Sequence, residues 1–236
     1  MDRSVSRLAL IPMFMGESTA THSLRKNRLD YLDKTIESLK NDFEILIGVT
    51  TEEEQDLLID FPYDKVSLNC NPIHLPSYLC NFAKSLTDFE RILLTEADQV
   101  FYGDYSILDE FVIGNNYLVP HRLEKLYKHF GGDRGPFVTF LNNAYICPNS
   151  FETTKEELGY YAPSNAVEGF GGAFYCTKTL LDNVVFSFSA QLPIEHGTGF
   201  DIYKTGSCFK TKSKLGFFVE HLSGYEFHCK IGGYIC

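Results

Sequence analysis

Two acidic side chains, Glu96 and Asp98, are separated by a single alanine in the segment Thr95–Gln99. The run 89–94 before them is short and becomes apolar toward its end, which predicts a β-strand that leads into this segment. Ligands of open α/β sheets bind beyond the carboxyl ends of the strands, so we expect both carboxylates to face a cleft. Their oxygens suit a hard divalent cation that bridges to substrate phosphates. A solvated acidic loop has the same pattern, so the spacing alone leaves both interpretations open.

A second group of polar side chains lies in the glycine-containing segment 193–201, which holds Glu195, His196 and Asp201. Either carboxylate can serve as a general base that removes the proton from an attacking hydroxyl, and such catalysis typically contributes ~10²–10⁴-fold. Asp201 also fits a salt bridge or a charge at a helix start. For His196 we expect a structural role in a partly buried position.

The elements that must position these side chains alternate in the first half of the chain. Apolar runs predict strands at 8–14, 43–49 and 66–68, before the strand at 89–94. Apolar residues at helical spacing predict helices between them, one carrying Leu29, Leu32, Ile36 and Leu39 and another opened by Pro76. Thr51 and Glu54 form a predicted capping box after the second strand. This alternation predicts an α/β fold with a parallel sheet and crossover helices.

Beyond Phe101 the predicted strands become shorter and more aromatic, and the loops between them lengthen. The candidates are 117–119, 137–141, 173–176 and an apolar run at 215–219. Glycine-rich turns separate them, and no linker or internal repeat interrupts the chain. We therefore expect a single domain over residues 1–236.

Composition excludes several classes of protein. The chain has 236 residues, 44% of them hydrophobic and 14% aromatic, so it can bury a sizeable core. Its 21 basic and 31 acidic residues give a net charge of −10, which argues against nucleic acid as a partner. No apolar run reaches the length of a membrane span, and no signal peptide is evident, so we expect a cytoplasmic protein.

The seven cysteines are scattered and include no Cys-x-x-Cys pair. This pattern favours reduced thiols over a disulfide framework or a zinc site.

An acid-x-Asp motif at a strand end resembles the metal and sugar-nucleotide motif of GT-A glycosyltransferases, although that family usually has aspartate where this chain has Glu96. The resemblance implies a GT-A-like (Rossmann-like) mixed sheet, mostly parallel and flanked by helices. It implies that residues 1–102 bind the nucleotide sugar and that residues 103–236 shape the acceptor side. It also implies a divalent cation, Mn²⁺ or Mg²⁺, held by Glu96 and Asp98.

The same resemblance implies further site residues. The segment that begins at Glu220 and His221 is similar to the C-terminal His-x-x-Gly segment that completes the metal's coordination in several GT-A families, which makes His221 the third expected ligand and His228 the reserve. Imidazole is an acceptable ligand beside carboxylate and phosphate oxygens. The expected donor-binding residues are Pro12, Arg25, Arg28, Asn81, Lys84, Glu96, Gly172 and Lys230.

The leading hypothesis is a metal-dependent glycosyltransferase that moves a sugar from a nucleotide-diphosphate sugar to a hydroxyl of a saccharide or glycoconjugate acceptor. In that enzyme Glu195 or Asp201 is the base. One alternative is a nucleotidyltransferase that makes the sugar nucleotide, although its usual glycine-rich basic loop is poorly matched by residues 13–18. Another is a non-catalytic module of the same fold that binds a nucleotide sugar or carbohydrate, for which Glu96 in place of aspartate is the best support.

Overall fold

The computed structural model describes residues 5–13, 28–110, 112–119, 121–123, 173–188, 198, 201–202, 205–210 and 218–221. Within them the strands are β1 (Arg7–Pro12), β2 (Glu44–Val49), β3 (Asp64–Ser67), β4 (Arg91–Leu94), β5 (Gln99–Tyr102), β6 (Asn116–Val119), β7 (His121–Leu123), β8 (Phe174–Thr177), β9 (Ser207–Lys210) and β10 (Phe218–His221). The α-helices are α1 (Arg28–Leu39), α2 (Glu52–Asp56), α3 (Leu75–Ala83), α4 (Tyr105–Asp109) and α5 (Lys178–Asn183), and a short 3₁₀ helix, Pro72–His74, precedes α3.

The first four strands form the parallel part of a large sheet. β1 pairs in parallel with β2 on one side and with β4 on the other, and β3 pairs in parallel with β2. Leu10, for example, lies opposite both Leu46 and Leu94. Helices connect successive strands, so the four strands all end on one side, which we call the carboxyl end of the sheet. The predicted alternation is confirmed, with boundaries within a few residues of the expected ones.

Later parts of the chain complete the same sheet and make it mixed. Its seven strands follow the order β3-β2-β1-β4-β8-β6-β9. β8 is antiparallel to both β4 and β6, whereas β6 and β9 are parallel. The fold class predicted from the resemblance, a mixed and mostly parallel sheet flanked by helices, is therefore confirmed. The predicted strand at 137–141 lies outside the described residues.

Alternate residues of the central strands point to two separate cores. Ala9 and Ile11 face a core shared with α1, and Leu8 and Leu10 face a core shared with α3 and α5. Both faces of the parallel strands are therefore covered, as near-continuous apolar strands require. Burying one such aliphatic side chain contributes about 1.5–3 kcal/mol, so these two cores supply much of the stability.

The helix α3 lies unusually close to the sheet at Gly48. A Cβ atom at this position would come within 2.8 Å of both terminal carbons of Leu79. A larger residue here would force the Leu79 side chain to move, because real Cβ contacts are not that short.

The start of α2 is capped by Thr51, as predicted. The side chain of Thr51 accepts a hydrogen bond from the backbone N–H of Glu54 at 3.2 Å. The carboxylate of Glu54 accepts from the backbone N–H of Thr50 at 2.8 Å and from the Thr50 hydroxyl. Glu54 is buried, and Thr50 offers its carboxylate two donors at once.

A cluster of charged and phenolic side chains joins four elements at the amino end of the sheet. The Arg7 guanidinium of β1 donates to a carboxylate oxygen of Asp109 at 2.5 Å and to the Tyr175 hydroxyl at 3.1 Å. The Tyr175 hydroxyl donates to the other oxygen of Asp109 at 2.5 Å, and Arg91 lies 3.4 Å from that same oxygen. Burial, together with the Asp109 carboxylate that accepts its hydrogen bond, raises the pKa of Tyr175, so its hydroxyl remains a donor.

The described cysteine side chains are free thiols. Cys80 on α3 and Cys176 on β8 are buried in the same apolar core, and Cys70 is partly exposed. Burial raises the pKa of Cys176 to about 12 and that of Cys80 well above its usual range. These thiols are packing residues. Separately, none of the helices described is both long and apolar enough to cross a membrane.

Candidate active site

The acidic turn lies at the carboxyl end of the sheet. After Leu94 the backbone N–H of Thr95 still bonds to the carbonyl of Leu10 at 3.0 Å, so the ladder between β1 and β4 continues for one more residue. The chain then turns through Glu96 and Asp98, both half-buried, and enters β5. A strand that ends in an acidic turn, as the sequence predicted, is therefore what the structure contains.

Gln99 connects the parts of this turn. Its side chain is fully buried, with 0% exposed, and its amide nitrogen donates to Oε2 of Glu96 at 2.8 Å. Its amide oxygen accepts from the hydroxyl of Thr95 at 2.8 Å, and the same hydroxyl lies 3.2 Å from the carbonyl of Glu96. The orientation of the Glu96 carboxylate is therefore set by a buried amide.

The strand β10 brings His221 to the same turn. β10 runs antiparallel to β5 in a second, three-stranded sheet of order β5-β10-β7, and its register places His221 opposite Gln99. Gln99 directly follows Asp98, so the backbone of His221 lies beside the acidic turn. The structure describes His221 by its backbone, and its role as a metal ligand stays a prediction.

The two carboxylates suit a hard cation as a partial ligand set. Within the described ranges, no group of three His, Cys, Asp or Glu side chains is arranged to hold a metal ion. Mg²⁺ and similar cations are commonly bound by only one or two carboxylates together with water and substrate phosphates. Glu96 and Asp98 therefore fit a cation that is bound jointly with a diphosphate.

Two of the predicted donor-binding residues also lie at the carboxyl end of the sheet. Pro12 ends β1 opposite Gly48, and the next N–H, that of Met13, donates to the Gly48 carbonyl at 2.8 Å. Arg28 is the first residue of α1, the helix that runs back from this end toward the start of β2. Arg25, Gly172 and Lys230 lie outside the described residues.

The structure places Lys84 and Asn81 at the end of α3 that lies away from this turn, and their role in donor binding stays a prediction. Lys84 caps the far end of α3, where its ammonium donates to the Val184 carbonyl at 2.6 Å and lies 5.0 Å from the centroid of the Phe186 ring. Its own carbonyl accepts from the ammonium of Lys178, near the start of β4. Asn81 is exposed on the same last turn. Because α3 runs from the carboxyl to the amino end, its last turn is remote from Glu96.

Asp201 has a different environment from that expected of a base. Only 4% of the residue is exposed, and its carboxylate accepts from the backbone N–H of Ser187 at 2.8 Å and from the Ser187 hydroxyl at 3.0 and 3.1 Å. Nearby, the buried hydroxyls of Ser77 and Thr198 share a hydrogen bond of 2.6 Å. These contacts tie segment 184–188 to Asp201 and tie Thr198 to α3. The other predicted base, Glu195, lies outside the described residues.

Gln99 belongs to the acidic segment Thr95–Gln99, but the sequence alone predicts no role for it. The feature that indicates a role for Gln99 is the alternation of burial along β5, where Gln99 and Phe101 are buried while Tyr102 is exposed. An amide at an inward position of a strand requires polar partners, because a buried polar group without them is destabilising. The acidic turn is the nearest source of such partners.

Comparison with known proteins identifies the fold. No protein-family model matches the sequence, and no curated protein matches it. Among solved structures, TarS residues 1–349 of S. aureus has a TM-score of 0.52 and 12% identity, covering 95% of this chain and 62% of that one. The inositol-1-phosphate CTP transferase of T. maritima has a TM-score of 0.51 and 12% identity, covering 100% of both chains.

A third structure, described as a glucose-1-phosphate thymidylyltransferase from Bacillus anthracis, has a TM-score of 0.50 and 11% identity and covers 93% of this chain and 90% of its own. This chain thus spans less than two thirds of the TarS fragment, and about the full length of the other two proteins. At such low identity the likeness concerns the fold. The chain therefore has the GT-A-like fold of these structures.

Proposed function

We propose that this protein is a divalent-cation-dependent glycosyltransferase that uses a nucleotide-diphosphate sugar as donor and a hydroxyl of a saccharide or glycoconjugate as acceptor. The observation that carries the proposal is the pair Glu96 and Asp98 at the carboxyl end of a GT-A-like sheet, beside the strand that holds His221. The fold alone is compatible with other reactions. The acidic turn adds the chemistry that a diphosphate leaving group requires.

The chain's own residues divide this work. Glu96 and Asp98 would hold the cation, with His221 as the proposed third ligand, and Pro12 and Arg28 would contact the donor. When bound, the cation would neutralise the charge that develops on the departing diphosphate. Glu195 is the proposed base: it takes the proton of the acceptor hydroxyl while the oxygen bonds to the anomeric carbon and the diphosphate leaves with the electrons of the broken bond.

The buried contacts of Asp201 support a positioning role for that residue. Both of its oxygens accept from Ser187, so its carboxylate is engaged with the backbone of a neighbouring segment. A base must reach the acceptor hydroxyl at about 2.6–3.2 Å or through one water molecule. We therefore assign the base to Glu195 and the anchoring of segment 184–188 to Asp201.

A nucleotidyltransferase is the second candidate, and one observation favours it. Two of the three solved structures compared above with this chain, the T. maritima CTP transferase and the Bacillus anthracis thymidylyltransferase, are described as enzymes of that kind. The two reactions leave different products. Glycosyl transfer releases a nucleoside diphosphate, and nucleotidyl transfer from a nucleoside triphosphate to a sugar phosphate releases pyrophosphate.

Product analysis separates these reactions. The protein is first screened by thermal shift against nucleotide sugars and nucleoside triphosphates, each with and without Mn²⁺, because a ligand of the folded state raises the melting temperature. Bound ligands are then incubated with saccharides or sugar phosphates. Release of a nucleoside diphosphate supports the proposal, release of pyrophosphate supports the second candidate, and binding without turnover supports a non-catalytic module.

A further inference from the structure

The amide of Gln99 has both of its ends occupied by the acidic turn. Gln99 is fully buried, and a buried amide is destabilising unless its donor and acceptor find partners. The donor is 2.8 Å from Oε2 of Glu96 and the acceptor is 2.8 Å from the hydroxyl of Thr95. The glutamine is therefore held at both ends by residues of the turn that it follows.

The chemistry of the partners fixes which end of the amide faces which residue. An ionised carboxylate only accepts hydrogen bonds, so the NH₂ group must face Glu96. The amide oxygen then faces Thr95, whose hydroxyl can donate. The two hydrogen bonds therefore form a relay in one direction: the Thr95 hydroxyl donates to the amide oxygen, and the amide NH₂ group donates to the Glu96 carboxylate.

The hydrogen bond from Gln99 restricts the Glu96 side chain. Glutamate has one more rotatable bond than aspartate, so a cation ligand at position 96 loses more rotamer freedom on binding. A hydrogen bond from a buried, immobile donor removes part of that freedom beforehand. Partners of this kind orient ligating carboxylates in metal sites.

We propose that Gln99 is a positioning residue that orients the Glu96 carboxylate toward the cation and diphosphate. The inference rests on the proposed function, because it assumes that Glu96 is a cation ligand. The backbone of Gln99 is in turn held by β10 through its pairing with His221. Gln99 thus links the orientation of the first acid to the strand that carries the proposed third ligand.

A double-mutant cycle tests this role. Mn²⁺ affinity is measured by electron paramagnetic resonance of free Mn²⁺ for the wild type, Gln99→Met, Glu96→Ala and the double variant. Methionine is unbranched and of similar size, but it cannot donate to Glu96. We expect Gln99→Met to weaken Mn²⁺ binding by about 10–100-fold in the wild-type background, the range typical of outer-shell partners, and to have little further effect once Glu96 is alanine.

A second pair of variants tests the same hydrogen bonds with smaller changes, so that an effect on binding can be separated from unfolding. Thr95→Val removes the hydroxyl that holds the amide oxygen and keeps the size of the side chain, whereas Thr95→Ser keeps the hydroxyl. We expect Thr95→Val to weaken Mn²⁺ binding by a smaller factor than Gln99→Met and Thr95→Ser to retain the wild-type affinity. Melting temperatures are recorded for all variants, so that affinities are compared among folded proteins.

Two outcomes overturn the inference, and they differ. If the wild type binds Mn²⁺ but Gln99→Met has no effect, or has the same effect when Glu96 is absent, the positioning role is wrong and the metal site stands. If the wild type binds Mn²⁺ neither alone nor with a nucleoside diphosphate present, the metal site of the proposed function is wrong and the positioning role falls with it.

Discussion

His221 and Gln99 lie opposite each other in neighbouring antiparallel strands, although 121 intervening residues separate them in sequence. Because Gln99 follows Asp98 directly, this pairing carries the C-terminal part of the chain to the acidic turn. A local sequence pattern cannot specify such a pairing, since it depends on how two distant strands dock. The pairing places the backbone of His221 beside Glu96 and Asp98, so the three proposed ligands can be tested together.

We expect Asp98→Ala to abolish Mn²⁺-dependent binding of the nucleotide-sugar donor and to leave the melting temperature within a few degrees of the wild type. Asp98 is half-buried in a turn and belongs to neither apolar core. Isothermal titration with and without Mn²⁺ measures the effect. Asp60→Ala, at an exposed position, is the matched control. Unchanged Mn²⁺ dependence in Asp98→Ala would refute the metal site.

His221→Ala should weaken Mn²⁺ binding by at least several-fold, because it removes the one nitrogen ligand proposed for the site. The strand pairing of β10 uses the backbone, so we expect the protein to remain folded. Mn²⁺ affinity and the melting temperature are measured on the same sample. A drop in melting temperature with unchanged affinity in the folded fraction would show that His221 is structural.

Glu195→Gln and Asp201→Asn should change different properties: the first should slow turnover, and the second should lower stability. As the proposed base, Glu195 acts in the transition state, so its replacement should slow turnover by ~10²–10⁴-fold while donor affinity and stability remain. Asp201→Asn weakens the hydrogen bonds to Ser187 and should lower the free energy of unfolding by about 1–3 kcal/mol. Turnover assays and urea unfolding distinguish them, and a large loss of turnover with unchanged stability in Asp201→Asn would reverse the assignment.

Asp109→Ala should be among the most destabilising single substitutions at the amino end of the sheet. It leaves the guanidinium of Arg7 without its carboxylate partner in a largely buried position. Breaking a buried ion pair by removing one partner costs about 3–5 kcal/mol, which urea unfolding measures. Tyr175→Phe removes a single hydroxyl from the same cluster and should cost less. If both variants lower the free energy of unfolding equally and only slightly, the cluster contributes little to stability.

Cys176 and Cys80 should resist alkylation in the native protein. Thiolate is the reactive form, and with a pKa of about 12 Cys176 is almost entirely protonated at pH 8. Reactivity at Cys176 should therefore rise only as the pH approaches that value or when the protein unfolds. Iodoacetamide labelling followed by peptide mass spectrometry resolves the sites, with the partly exposed Cys70 as the internal comparison. Rapid labelling of Cys176 at pH 8 would contradict its burial.

The sequence predicted the elements of this fold better than the side-chain partners at its site. The spacing of apolar residues indicates which side chains are buried, and this was enough to predict the strands β1 to β4 and the helices α1 and α3. The contacts of Lys84 with Val184 and Phe186 could not be predicted, because periodicity does not indicate which distant segment packs against the end of a helix. The partners of Asp201 and Glu54 depend on which donors the packing brings near, and Ser187 and Thr50 carry no local signal for that role.

The position of β8 determines the order in which the sheet can be assembled. β8 lies between β4 and β6, yet it follows both of them in the chain. During synthesis β1 to β4 can pair as soon as they emerge, but until β8 is made the outer side of β4, with Ile92, Leu93 and Leu94, has no neighbouring strand. An exposed apolar strand is a template for pairing with other chains. We therefore expect fragments that end before Phe174 to aggregate more readily than the chain that includes β8.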